Sequence, residues 1–142
     1  MTNLQKHAWW SLVVGTVISL ATAVVAIVEG VTSFLEDEQV VVPITAVFVI
    51  GLVVHAITLQ RALRSADERD REIFRRAPGM QVVAVFVTLF AWSIVLPRVY
   101  ADEGSVPIAF PTLMVWSAFV VSVIAQSGGV LMGYAGWAGA KS

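Results

Sequence analysis

Few side chains in this 142-residue sequence could do chemistry, and the one that sits inside a hydrophobic run is His55. Gly51, His55 and Thr58 fall on one face of a helix, so the imidazole is expected to point into a bundle rather than at lipid. An ionisable group at membrane depth is a functional candidate, either as a ligand contact or as a proton carrier, because histidine titrates near a pKa of ~6.5. Against the proton reading, a path across a hydrocarbon core of roughly 30 Å needs relay groups at several depths. Between His55 and the far surface the sequence offers hydroxyls such as Thr45, Thr88 and Ser93 and no second titratable side chain. The expected role is therefore a neutral histidine hydrogen-bonded to a neighbouring helix. The chain has two histidines, far apart in sequence, and no cysteine. Thiol catalysis, disulfides and cysteine-bound metals are excluded, no metal-ligand spacing exists, and no cofactor or metal is expected.

The second group of candidates is the charged stretch RALRSADERDREIFRRAPG, residues 61–79, which holds six of the nine basic and four of the ten acidic residues. Ser65 followed three residues later by Glu68 has the spacing of a capping box, which predicts a charged helix over 65–77 that begins at Ala66 and is ended by Pro78-Gly79. Asp67, Glu68 and Asp70 then lie in its first turns and Arg75 and Arg76 in its last, complementing the helix dipole. Asp67 with Arg71, and Glu72 with Arg75 or Arg76, are pairs at helical spacing, worth about 0.2–0.5 kcal/mol each. Such a helix is either a solvated connector or a docking surface. In the second case Asp67, Glu68, Arg69 and Asp70 supply charge, while Ile73 and Phe74 lie against the membrane surface or a partner.

These residues need elements to hold them, and the composition says what the elements are. Hydrophobic residues make up 58% of the chain, charged residues 13%, and mean hydropathy is +0.82. A soluble domain carries about 25% charged residues, so the sequence reads as an integral membrane protein. Four runs are long enough to span a bilayer, at about residues 8–30, 41–60, 80–98 and 107–134. Small residues recur at helical intervals on two of them: Gly15 and Ser19 in the first, Gly129 and Gly133 in the fourth. With Gly51 of the second run they are expected to be close helix contacts. Pro43 is tolerated in the first turn of the second run, Pro97 stops or kinks the third, and Pro107 opens the fourth. Trp92 and Trp116 lie too deep for an interfacial belt and read as core or partner contacts. Gln126 lies beside the small-residue face of the fourth run.

Lys6, Lys141 and the six arginines of the central stretch fall on one side of a four-span topology and only Arg98 on the other, which by the positive-inside rule places both termini and the charged stretch in the cytoplasm. The expected fold is an all-α, integral membrane four-helix bundle: two helical hairpins joined by a charged cytoplasmic segment, forming a single domain. Net charge is -1, and no nucleic-acid partner is expected. No enzyme constellation exists, because the spans hold no carboxylate away from their ends to complete a nucleophile-histidine-acid set, and no Gly-rich phosphate loop follows a strand.

The spacing of Asp67-Glu68-Arg69-Asp70 with Ile73 and Ala77, set between two hydrophobic pairs, resembles an uncharacterised prokaryotic family of small four-span membrane proteins with a cytoplasmic Asp-Glu-Arg-Asp loop. The resemblance implies a bacterial or archaeal cytoplasmic (inner) membrane. Taken together, the sequence suggests a non-enzymatic membrane protein acting through protein contacts, as an accessory subunit or a small regulatory factor, with the lipid bilayer and a membrane-protein partner or homo-oligomer as its surroundings. The alternative is a small dimeric secondary transporter. Small four-helix exporters rely on a glutamate within the first span, whereas Glu29 stands at the edge of this one.

Overall fold

The computed structural model describes residues 1–30, 38–102, 104–106 and 110–139, and every regular element among them is helical. The order is α1 (Asn3–Glu29), α2 (Glu38–Arg64), α3 (Glu68–Arg76), α4 (Pro78–Val99) and α5 (Phe110–Gly139). All but α3 are long and apolar enough to cross a membrane. The opening of the fourth run at Pro107 and most of the turn between the first two runs lie outside the described residues.

Local signals explain the boundaries. Thr2 is extended and its hydroxyl accepts from the Gln5 amide at 3.2 Å, capping α1. Gly30 ends it at φ 82°, a backbone region open to glycine at little cost. The helices run past the apolar stretches at both ends, so α2 starts at Glu38 and Pro43 falls in its second turn rather than its first. There it removes a helical donor that the first turn would not have needed.

The charged segment differs from expectation in three ways. Asp67, not Ser65, caps α3: its carboxylate accepts from the Asp70 amide at 2.7 Å, and the helix starts at Glu68. Ser65 instead donates to the Ala62 carbonyl at 3.1 Å and accepts from Asn3 Nδ2 at 3.1 Å, tying the end of α2 to the start of α1. Because the Asp67 carboxylate is engaged as a cap, it forms no pair with Arg71; the ion pairs among the described residues join Glu72 to Arg76 at 2.9 Å and to Arg75 at 3.9 Å. Finally, Pro78 opens α4 instead of closing the segment. Ala77 alone separates the two helices and is itself right-handed helical, and proline at a first helical position is pre-set for that conformation.

α5 is the centre of the molecule. It packs along α4 on one side and α1 on the other, and α3 lies against it near its C-terminal end. The second expected hairpin, α4 with α5, is close. The first is loose, because α1 packs more extensively on α5 than on α2. Glycines explain the choice. A Cβ on Gly15 would stand 3.0 Å from Ile124 Cγ1 of α5, one on Gly129 3.4 Å from Ala77, and one on Gly133 2.6 Å from Ile73 Cγ2. The approach at Gly133 is one that only a missing side chain permits, that at Gly15 is tight, and Gly129 leaves room for an ordinary contact; small residues of this kind let apolar helices pack closely. Ser19 is half-buried on the same side of α1, its hydroxyl returned to the Gly15 carbonyl at 2.9 Å.

Two apolar clusters form at opposite ends. At the α3 end Leu4, Ala8, Ala62, Ile73, Ala77, Val130 and Tyr134 are buried together. At the other end Trp116 is buried among Val25, Val41, Ile44, Phe48 and Leu113. α2 joins the bundle at these two clusters, and between them a groove opens.

Candidate functional site

The Asp-Glu-Arg-Asp motif turns one of its four residues inward. Asp70 is 3% exposed and Ile73 4%, because positions 70, 73 and 77 share the face of α3 and its continuation that meets α5. Ile73 fills the notch left by Gly133, and Phe74 is half-buried against the same cluster. Ile73, expected against the membrane or a partner, is thus spent inside the protein, in the space left by the missing side chain of Gly133, and Phe74 is partly so. The outward residues Glu68, Arg69, Arg71 and Arg75 remain exposed.

Asp70 is held by a relay of hydrogen bonds. Tyr134 Oη donates to Asp70 Oδ1. With its one proton committed there, the tyrosine oxygen accepts from the Thr2 hydroxyl at 2.8 Å, and Thr2 in turn accepts from the Gln5 amide. The cap of α1, a tyrosine of α5 and a carboxylate of α3 therefore form one connected chain. The Arg69 guanidinium lies 5.6 Å from the Tyr134 ring centroid, a cation-π distance. No side-chain polar atom buried among the described residues is left unsatisfied.

The second site is the groove between α1, α2 and α5, about 500 Å³ in volume. His55 does point inward, as its helical face predicts, but it is not alone. Its ring centroid lies 5.1 Å from that of His7, at an interplanar angle of 56°. Ser11 Oγ stands 3.2 Å from His7 Nδ1 and 3.3 Å from His55 Nδ1, and His7 Nε2 is 3.1 Å from Thr58 Oγ1. The Thr58 hydroxyl donates to the Val54 carbonyl at 2.8 Å or to that of His55 at 3.0 Å, so it accepts from His7 Nε2. The neutral His7 then accepts at Nδ1 from Ser11, and Ser11 accepts from His55 Nδ1. The tautomers of both rings are assigned by this network, and His55 Nε2 is left as an acceptor.

The groove changes character along its length. At the α3 end it is lined by Asn3, His7, His55, Thr58, Arg61 and Ser65; farther along come Val14, Ile18, Val47, Phe48 and Phe119. Gly51 lies on its wall, and a Cβ there would meet nothing within 4 Å. The expectation of Gly51 as a close helix contact is corrected: α2 stands off the bundle around Gly51, between the Phe48 contact on one side and the hydrogen bonds of His55 and Thr58 on the other.

Trp116 is buried, stacked on Phe48 at 5.6 Å and 18°. Trp92 donates from Nε1 to Ser117 Oγ at 2.8 Å, joining α4 to α5. Both act as interior contacts, as their depth implies. Gln126 is half-buried on α5. Sequence reasoning passed over His7, Thr2, Tyr134 and Gln81, whose amide donates to Ser122 Oγ at 2.6 Å. Gln81 and Tyr134 carried a legible signal, a polar atom within or beside an apolar run that must find a partner. The pairing of His7 with His55 is a product of tertiary packing alone.

Among the described residues no group of three or more histidine, cysteine or acidic side chains could hold a metal ion. No family model matches the chain, and neither does any curated protein or solved structure.

Proposed function

We propose that the protein is a non-enzymatic integral membrane protein that acts through protein contacts, as an accessory subunit or small regulatory factor, by presenting the outer face of α3 to a partner. The observation that carries this reading is the enclosure of Asp70 and its relay to Tyr134 and Thr2. A mere solvated connector gains nothing from a buried carboxylate, which costs free energy unless it is hydrogen-bonded. A clamp on one face fixes the orientation of the other, where Glu68, Arg71 and Arg75 stand exposed. On the positive-inside rule α3 and both termini face the cytoplasm. The resemblance of the Asp67–Asp70 motif to a prokaryotic family suggests an inner membrane.

The test is the double charge reversal Arg71→Glu with Arg75→Glu, both at exposed positions. After purification in mild detergent the native chain should run in an assembly with a second membrane protein, identified by mass, and the variant should lose that partner while unfolding at an unchanged temperature. An assembly indifferent to the reversal, or a chain that purifies without a partner, would overturn the reading.

Transport is the second reading, favoured by the His7–Ser11–His55 relay. Both rings, however, sit at the α3 end of the groove, and the remainder toward Phe48 is lined by apolar side chains, so a proton leaving the relay meets no further carrier.

A further inference from the structure

The groove between α1, α2 and α5 has the character of a binding site in which one end is wet and charged and the other greasy. Its volume of about 500 Å³ falls within the roughly 300–1,000 Å³ typical of small-molecule sites. It is open rather than enclosed, so a ligand can enter sideways between helices. Its long wall of Val14, Ile18, Val47, Phe48 and Phe119 offers nothing polar. At the other end, Arg61 in the last turn of α2 is exposed and makes no ion pair or hydrogen bond with the described residues. No aspartate or glutamate lines the groove.

We infer that this groove holds one acyl chain of an anionic phospholipid drawn from the adjacent leaflet, with the headgroup phosphate on Arg61. Several observations converge on that occupant. The gap lies between the Phe48–Trp116 contact and the His55–Ser11 and Thr58–His7 hydrogen bonds, and Gly51 keeps the wall clear where a chain would lie. A basic pocket between helices at the cytoplasmic side is suited to an anionic headgroup. A zwitterionic lipid would bring an ammonium beside Arg61 with no carboxylate in the groove to offset it. His55 Nε2, the open acceptor of the relay, suits a glycerol or headgroup hydroxyl. The volume is that of one chain, and the open side lets the second remain in the bilayer. The inference rests on membrane residence and not on the partner proposed for α3, so each can fail alone.

The experiment reconstitutes the full-length protein in vesicles of mixed phosphatidylglycerol and phosphatidylcholine, extracts it in mild detergent and weighs the retained lipid by native mass spectrometry. One phosphatidylglycerol per chain should be retained, preferred over phosphatidylcholine by about fivefold, the contribution of a single arginine. Arg61→Gln, at an exposed position that should not disturb folding, should abolish the preference, while Arg75→Gln on α3 should keep it. Gly51→Leu should lower retention of either lipid by filling the groove; if that variant fails to fold, Arg61→Gln still decides. Equal retention of the two lipids, a preference unchanged in Arg61→Gln, a retained mass equal to a free fatty acid, or a second copy of the chain in place of lipid would each overturn the inference.

Discussion

A carboxylate as enclosed as Asp70 is stable only while something donates to it, and Tyr134 is that donor. Tyr134→Phe removes the proton from Asp70 and the acceptor from Thr2 in one change. It should cost about 1.5–3 kcal/mol, the range for a hydrogen bond to a charged group, read as a lowered unfolding midpoint in micelles. Gly133→Ala tests the other side of the same contact. Its new methyl would stand 2.6 Å from Ile73 Cγ2, a branch on the β-carbon that can move only by rotating the whole side chain or shifting the helix, at about 1–3 kcal/mol. Val17→Leu on the exposed face of α1 should stay within about 0.5 kcal/mol of the parent; equal tolerance of Gly133→Ala and Val17→Leu would remove the packing argument. The sequence marked Asp70 and Ile73 as important but put them on the surface. The spacing of positions 70, 73 and 77 held the needed clue. What could not be read was that Tyr134, 64 positions away, supplies the partner.

α2 shows how an element can be correctly located and wrongly placed. Its length and apolar content mark it as a helix able to cross a membrane, but both its faces are apolar, so no pattern reveals which face is packed and which stands free. Its attachment at the far end rests on Phe48 against Trp116 and Phe119, the latter at 5.5 Å. On the proposal that the chain lies in a membrane, Phe48→Ala should cost only about 0.5–1.5 kcal/mol, the worth of aromatic pairing, because lipid would solvate the vacated surface as well as protein does. A loss as large as in a soluble core, about 3–5 kcal/mol, would show that this end is shielded from lipid. His55 was the opposite case: its face was legible from Gly51 and Thr58, its partner was not. His55→Gln keeps a donor for Ser11 and cannot titrate, so the protein should remain assembled with its activity intact across pH. Loss of a pH-gated flux in that variant, with assembly preserved, would move transport ahead of the contact reading.

At the scale of the whole molecule, the four helices long and apolar enough to cross a bilayer were legible as runs of the length a bilayer demands, whereas the order of packing was not. Small residues at Gly15, Gly129 and Gly133 announced close contacts without naming the partners. The proposed orientation is tested by single cysteines in the cysteine-free chain: one at Ser105 should react with an impermeant reagent in intact cells, and one at Ser65 only after permeabilisation. Labelling at position 65 from outside would reverse the topology. The hydrogen bond between Thr2 and Tyr134 spans 132 positions, and the helix that α1 chiefly packs against, α5, follows the other described helices in the sequence. At a synthesis rate of about 5–20 residues per second, α1 waits on the order of ten seconds between its own emergence and that of its partner. During that interval the ribosome has already delivered α2, α3 and α4, and none of them can offer Thr2 a phenol or fill the cleft beside Gly15. A nascent chain halted before α5 therefore has its first helix tied to α2, through Ser65, Thr58 and His55, and still without its main partner.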